Sequence, residues 1–139
     1  MRYYDLDAAN ARLFTVRPLL EALRADRDEV AREQLAIARL QDASDGAASI
    51  AERDQREAAI RDAVGRMQHL VAQLVEWDVT LRDIGTGLID FPALANGRPV
   101  WLCWRLGEDD VQLWHRQDEG FANRKPISEL PLEGSGPVA

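Results

Sequence analysis

The apolar positions of this chain change their period once, close to Trp77. Before it they recur at helical spacing. Ile60, Val64, Met67, Val71 and Leu74 are separated by 4, 3, 4 and 3 residues, the a/d seam of a coiled coil. Val16, Leu20, Leu23, Val30 and Ile37 fit the same seam upstream, with Arg27 and Gln34 in two of its places. Either those polar residues set register or partner number at some cost in stability, or the helix rotates there to bring Leu35 and Ala38 inward. Asp5 and Asp7 can cap a first helix, and Thr15 a second start with Pro18 inside its first turn. This predicts a short helix, a break near Phe14–Thr15, and a long helix to about Gln41. The turn-rich Asp42–Gly46 then leads into a second long helix from Ala47 to Trp77.

Charges on the other faces alternate in sign: Glu21, Arg24, Asp28 and Arg32, then Glu52, Arg53, Asp54, Arg56 and Glu57. They read as solvated faces with weak pairing. Two helices of roughly 30 residues reach about 45 Å at ~1.5 Å per residue. A compact domain of this mass has a radius of gyration near ~14 Å. The remaining chain cannot cover such a hairpin, so either its apolar stripe is narrow or another hairpin covers it, and a homodimer forming a four-helix bundle is the economical expectation.

After Trp77 the pattern alternates, and Gly, Asn and Pro punctuate it. Val79–Ile84, Leu88–Phe91, Val100–Leu106 and Val111–Arg116 read as strands, with Asn96-Gly97 a tight-turn signal. The fold class is therefore α+β: a long antiparallel, coiled-coil-like helical hairpin followed by a small antiparallel sheet of three to four strands. The chain is taken as a single domain, 1–139. Residues 1–77 form the hairpin, 78–127 the sheet, and 128–139 a Pro/Gly-rich flexible tail.

A four-residue connection, Gly107–Asp110, divides the last hairpin into two faces. Val100, Leu102, Trp104, Leu106, Val111, Leu113 and His115 share the apolar face. Trp101, Cys103 and Arg105 share the other with Gln112, Trp114 and Arg116. Cys103 and His115 then lie on opposite faces, which argues against a Cys/His catalytic dyad. Trp101 and Trp114, flanked by Arg105 and Arg116, suit a protein contact, a ligand surface, or burial under the segment around Phe121–Arg124.

Composition narrows the function classes. Of 139 residues, 24 are acidic and 17 basic, a net charge of −7. With no concentrated basic patch, nucleic-acid binding is not expected. Lys125 is the sole lysine, so the basic chemistry here is guanidinium chemistry. No apolar run reaches the ~18 residues of a membrane span, and the N-terminus lacks a signal-like stretch. Cytoplasmic location is the expectation. A single Cys103 forms no internal disulfide, and no cofactor or metal set is suggested.

The second half carries Asp83-Ile-Gly-Thr-Gly-Leu-Ile-Asp-Phe-Pro-Ala93, Gly97-Arg-Pro-Val-Trp-Leu-Cys-Trp-Arg-Leu-Gly-Glu108, Trp114-His115 and Gly120-Phe-Ala-Asn-Arg-Lys-Pro126. With Tyr4-Asp-Leu-Asp-Ala-Ala-Asn10, this resembles the bacterial domain-of-unknown-function family 2203 over residues 2 to 127. A Thr often stands there in place of Asp5. The resemblance implies a helical hairpin followed by a small sheet in soluble bacterial proteins. It also implies that Asp90, Trp104, Gly107, Glu108, Trp114, His115 and Gly120 fall on the family pattern. It implies no activity.

Two function classes stand. The first is a non-enzymatic homodimeric binding or scaffold protein. Its candidate interface residues are Trp101, Trp114, Ile60, Val64, Met67, Val71 and Leu74. The second is a small metal- or anion-dependent enzyme or ligand site on Asp90, Glu108 and His115. Arg105 or Arg124 would clamp an anion there, and Trp114 would line the site.

Overall fold

The computed structural model describes residues 2–42 and 46–130. The expected turn at Asp42–Gly46 falls largely on residues 43–45, outside the described ones. Two helices, α1 (Leu6–Asp42) and α2 (Gly46–Glu76), pack together as an antiparallel hairpin. The expected cap is Asp5, whose Oδ1 accepts the Ala8 amide at 2.7 Å. No break occurs at Phe14–Thr15. The Thr15 hydroxyl does not cap a new helix; it donates back to the Arg12 carbonyl at 3.0 Å. Pro18 stands inside α1 and forfeits its bond to the Phe14 carbonyl. Both residues are exposed, so the missing bond lies on the solvent side of the helix, and the helix continues.

The hairpin seam differs by one position from the simplest heptad. In α1 the buried line is Ala9, Leu13, Val16, Leu20 and Leu23. In α2 it runs through Ile60, Ala63, Met67, Leu70, Val71 and Leu74, so Ala63 replaces the expected Val64, while Val71 stays against the core beside Leu70. Ala63 is fully buried, while Val64 is 38% exposed. A small residue lets the helices approach closely, and Val64 moves to the flank. Farther out, Arg27, Gln34, Leu35 and Ala38 are all exposed, so the helix does not rotate there to bring Leu35 and Ala38 inward. Ion pairs link the helices there instead: Arg56 to Glu33 at 3.2 Å, and Arg66 to Asp26 at 3.1 Å and to Glu29 at 2.6 Å. Arg27 reaches the turn between the first two strands, against Gly85.

Five antiparallel strands follow in sequential order: β1 (Thr80–Asp83), β2 (Leu88–Ala95), β3 (Arg98–Arg105), β4 (Leu113–Arg116) and β5 (Lys125–Pro126). β2 runs past its expected end at Phe91 because Pro92 needs no ladder partner. β1 stops pairing at Asp90, and the free edge beyond it accepts the Tyr4 amide on the Pro92 carbonyl at 2.7 Å. Asn96 and Gly97 both have positive φ, 53° and 77°, as a two-residue type I′ turn requires.

The β3–β4 register is the main departure. Val100 pairs with Arg116, Trp101 with His115, Leu102 with Trp114 and Cys103 with Leu113. This is one residue off the pairing that a four-residue loop imposes, and such a slip exchanges the faces of a strand. Trp114 therefore joins Val100, Leu102 and Trp104 in the core. Leu113 and His115 join Trp101, Cys103 and Arg105 on the outer face. α1 dictates the offset by holding the longer connection. Asn10 Oδ1 accepts the Val111 amide at 2.8 Å, and Arg17 donates to the Asp109 carbonyl. Trp104 Nε1 donates to the same carbonyl at 2.9 Å.

The core lies between the proximal half of the hairpin and the inner sheet face, with Tyr4, Leu13, Leu20, Leu74, Ile89, Phe91, Leu102, Trp104 and Trp114 among its members. The expected tail begins with a further turn. The Ile127 amide bonds the Gln112 carbonyl at 2.8 Å, and Ile127 and Leu130 lie against the core; residues 131–139 lie outside the described ones. No helix among the described residues is long and apolar enough to cross a membrane.

Candidate functional site

The outer face of the sheet holds polar residues that a two-layer fold would ordinarily leave wet. β2 places Asp90 directly opposite Cys103 on β3, and Cys103 stands opposite Leu113 on β4. The next row is Pro92, Trp101 and His115. The segment after β4 folds back over this face. As a result Asp90, Cys103 and His115 are buried, at 2%, 2% and 5% exposure.

Asp90 is the hub. Its Oδ2 accepts Arg82 Nε at 2.8 Å and faces His115 Nε2 at 3.3 Å. The other His115 nitrogen, Nδ1, lies 3.0 Å from the Arg116 carbonyl and 3.1 Å from the Glu119 carbonyl. Two carbonyl acceptors place a donor N–H at Nδ1, and Nε2 is the nitrogen that faces the Asp90 carboxylate. Asp90 Oδ1 is buried without a hydrogen-bond partner. Burial pushes the Cys103 thiol up to about 12, and the neighbouring Asp90 carboxylate reinforces this. Arg124 is near enough to oppose that shift, and Glu119 is held below the usual carboxylate range by Lys125 and the Arg116 amide. The Arg82 guanidinium lies 4.9 Å from the Trp101 ring centre.

These groups border an open cleft of about 270 Å³, lined by Arg82, Leu88, Asp90, Trp101, His115 and Glu119. Trp101 also walls a second, apolar hollow of about 400 Å³ beside Val71, Leu74, Val75, Val79 and Leu81.

Of the residues singled out in the sequence, Asp90 and His115 meet directly. Glu108 does not line their cleft; its carboxylate accepts the Arg105 amide at 2.8 Å and closes the turn after β3. The Arg105 side chain is exposed on the same sheet face, and Arg124 is half-buried. Trp114 is a core residue whose Nε1 donates to the Pro126 carbonyl at 3.1 Å, with Arg116 and Lys125 against its ring. Among the interface candidates, Leu74 is buried, Met67 and Val71 lie partly buried against the core, and Ile60 is half-buried. Val64 is exposed, and Trp101 is half-buried. Arg82 was missed. It sits on an edge strand opposite no conspicuous partner in sequence, and only the β1–β2 pairing brings it to Asp90. Among the described residues, no three His, Cys, Asp or Glu side chains gather as a metal site.

A family model described as "Uncharacterized conserved protein (DUF2203)" matches residues 2–127. No curated protein and no solved structure matches the chain.

Proposed function

Because the chain belongs to the DUF2203 family of uncharacterized conserved proteins, which assigns it no chemistry, we propose from its geometry that it is a non-enzymatic homodimeric binding protein of the cytoplasm. The hairpin assembles two copies, and the outer sheet face serves recognition.

The observation that carries assembly is an apolar flank on α2, a quarter-turn away from the internal seam. Ile50, Val64 and Val75 lie along it, interrupted by Glu57, and they are 63%, 38% and 67% exposed. The flank runs into the hollow beside Val79, Leu81 and Trp101. An exposed apolar line of this length suits a second hairpin related by a two-fold axis. Binding is favoured over turnover because the reactive groups are spent on one another. Both His115 nitrogens already have acceptors, so neither is left for a substrate proton. Cys103 is buried as a protonated thiol, which also suits a reducing compartment.

Light scattering on the purified chain tests the assembly. The expected mass is twice the 15.6 kDa of one chain at micromolar concentration. A single species at 15.6 kDa overturns it.

A further inference from the structure

A separate hollow, at the end of α1 away from the hairpin tip, carries positive charge that the rest of the chain leaves unmatched. The segment before α1 is pinned across the end of α2. The Arg2 amide donates to Asp78 Oδ2 at 2.9 Å, and the Tyr4 hydroxyl donates to the Trp77 carbonyl at 2.6 Å. Between that segment and the first turns of α1 lies an open hollow of about 420 Å³, walled by Arg2, Tyr3, Tyr4, Ala8, Ala11 and Arg12. Among the described residues, no acidic side chain lines it.

Arg12 differs from the arginines farther along the hairpin. Arg53, Arg56 and Arg66 each meet a carboxylate. Arg12 and Arg2 meet none among the described residues, although 24 of the 139 residues are acidic. The Arg12 guanidinium instead lies 4.6 Å from the centre of the Trp77 ring. Its Nε is buried without an acceptor, out of any ligand's reach. Nη1 and Nη2 also lack a partner but are not buried, so they are the donors that Arg12 offers to the hollow. Stacking on Trp77 holds the plane of the fork, so less freedom is lost when an acceptor meets it. An oxyanion fits such a fork with two parallel N–H···O bonds. Arg2, exposed on the facing segment, adds a second charge. A phosphate monoester, at about −1.5 to −2 near neutral pH, matches the pair better than a carboxylate does. The Tyr3 ring and the Ala8 and Ala11 methyls give an apolar body its walls.

We propose that this hollow binds a small aryl or alkyl phosphate monoester, its head on Arg12 and Arg2 and its body against Tyr3, Ala8 and Ala11. The site is distinct from the outer sheet face and from the α2 flank, and it stands or falls independently of both.

Phenyl phosphate serves as the probe, titrated into the full-length protein at low ionic strength. The readout is the tryptophan indole signals in proton–nitrogen correlation spectra, with Trp77 assigned through Trp77→Phe. Phenyl phosphate is expected to shift the Trp77 signal saturably. Inorganic phosphate, which lacks the body, and benzoate, which lacks the second charge, should bind more weakly. Benzyl alcohol should leave the signal in place. Arg12→Gln should lower phenyl phosphate affinity about tenfold or more. Arg2→Gln, at an exposed position, gives an independent loss of charge and should also weaken binding. Arg24→Gln removes a charge from the same helix outside the hollow and should leave affinity unchanged. Unchanged Trp104 and Trp114 signals in these variants report that the core is intact. Four results each overturn the proposal. They are no saturable shift with phenyl phosphate, equal affinity for inorganic phosphate or benzoate, undiminished binding by either hollow variant, and an equal loss in Arg24→Gln. The last would reduce the attraction to net charge alone.

Discussion

Cys103 shows how one residue's chemistry depends on its row in the sheet. It is a lone thiol across the ladder from a buried carboxylate, and its pKa rises from 9.0 to about 12. The folded state thus keeps the proton that the unfolded chain releases first. Stability from this group is complete below 9.0 and is lost as pH rises toward about 12. Cys103→Ala should flatten the fall of urea-denaturation stability across that window, whatever it does to stability below it. In the folded protein the thiol should react with iodoacetamide only as fast as the chain opens, and at the rate of a free thiol in urea. Fast alkylation of the folded protein would contradict its burial. His115 carries a parallel lesson. Its type and position in the sequence invited a catalytic reading, and the acceptors around both of its nitrogens argue for a structural and positioning role.

Two glycines show what the secondary-structure elements demand of their residues. Gly65 lies inside α2 with nothing within 4 Å of where a Cβ would stand. Gly65→Ala should stabilise the protein by up to about 1 kcal/mol through helix propensity and a less flexible unfolded chain. Gly87 opens β2 with φ +69° and would drive a Cβ to 2.6 Å from the Leu106 side chain. Gly87→Ala should cost more than about 1 kcal/mol in the same urea titration, since left-handed backbone alone costs about that much for other residues. Equal signs for the two substitutions would refute this account. Pro18 marks the opposite case, a helix breaker tolerated because its lost bond falls on the wet face.

At the scale of the whole molecule, the sheet covers only the proximal half of the hairpin. Beyond it, Arg56 and Arg66 ion pairs, individually weak at a surface, add to the half-buried Val30, Ile37 and Ile60. The apolar flank of α2 stays uncovered. The double substitution Ile50→Glu and Val64→Glu should therefore halve the scattering mass of the proposed dimer. It should leave the near-ultraviolet signal of the buried Trp104 and Trp114 unchanged, because neither position belongs to the internal seam. Retention of the dimer mass would place the interface elsewhere.

Helical and alternating periods, the Asp5 cap and the Asn96-Gly97 turn are local properties, so the α+β order, the hairpin and the central strand pairing were legible in the sequence. So was the candidacy of Asp90 and His115, as polar residues in otherwise apolar strands. What the sequence did not contain was the choice among near-equal alternatives. Ala63 or Val64 could each continue the heptad, and only packing against α1 selected the smaller. Either parity could pair β3 with β4, and Asn10 and Arg17, 101 and 92 residues upstream of their partners, selected the one that sends Trp114 into the core. That single-residue offset moved His115 to the face of Asp90 and Cys103, and the β1–β2 ladder added Arg82. Tertiary structure alone decided the site, because strand register is set by contacts between segments far apart in the chain.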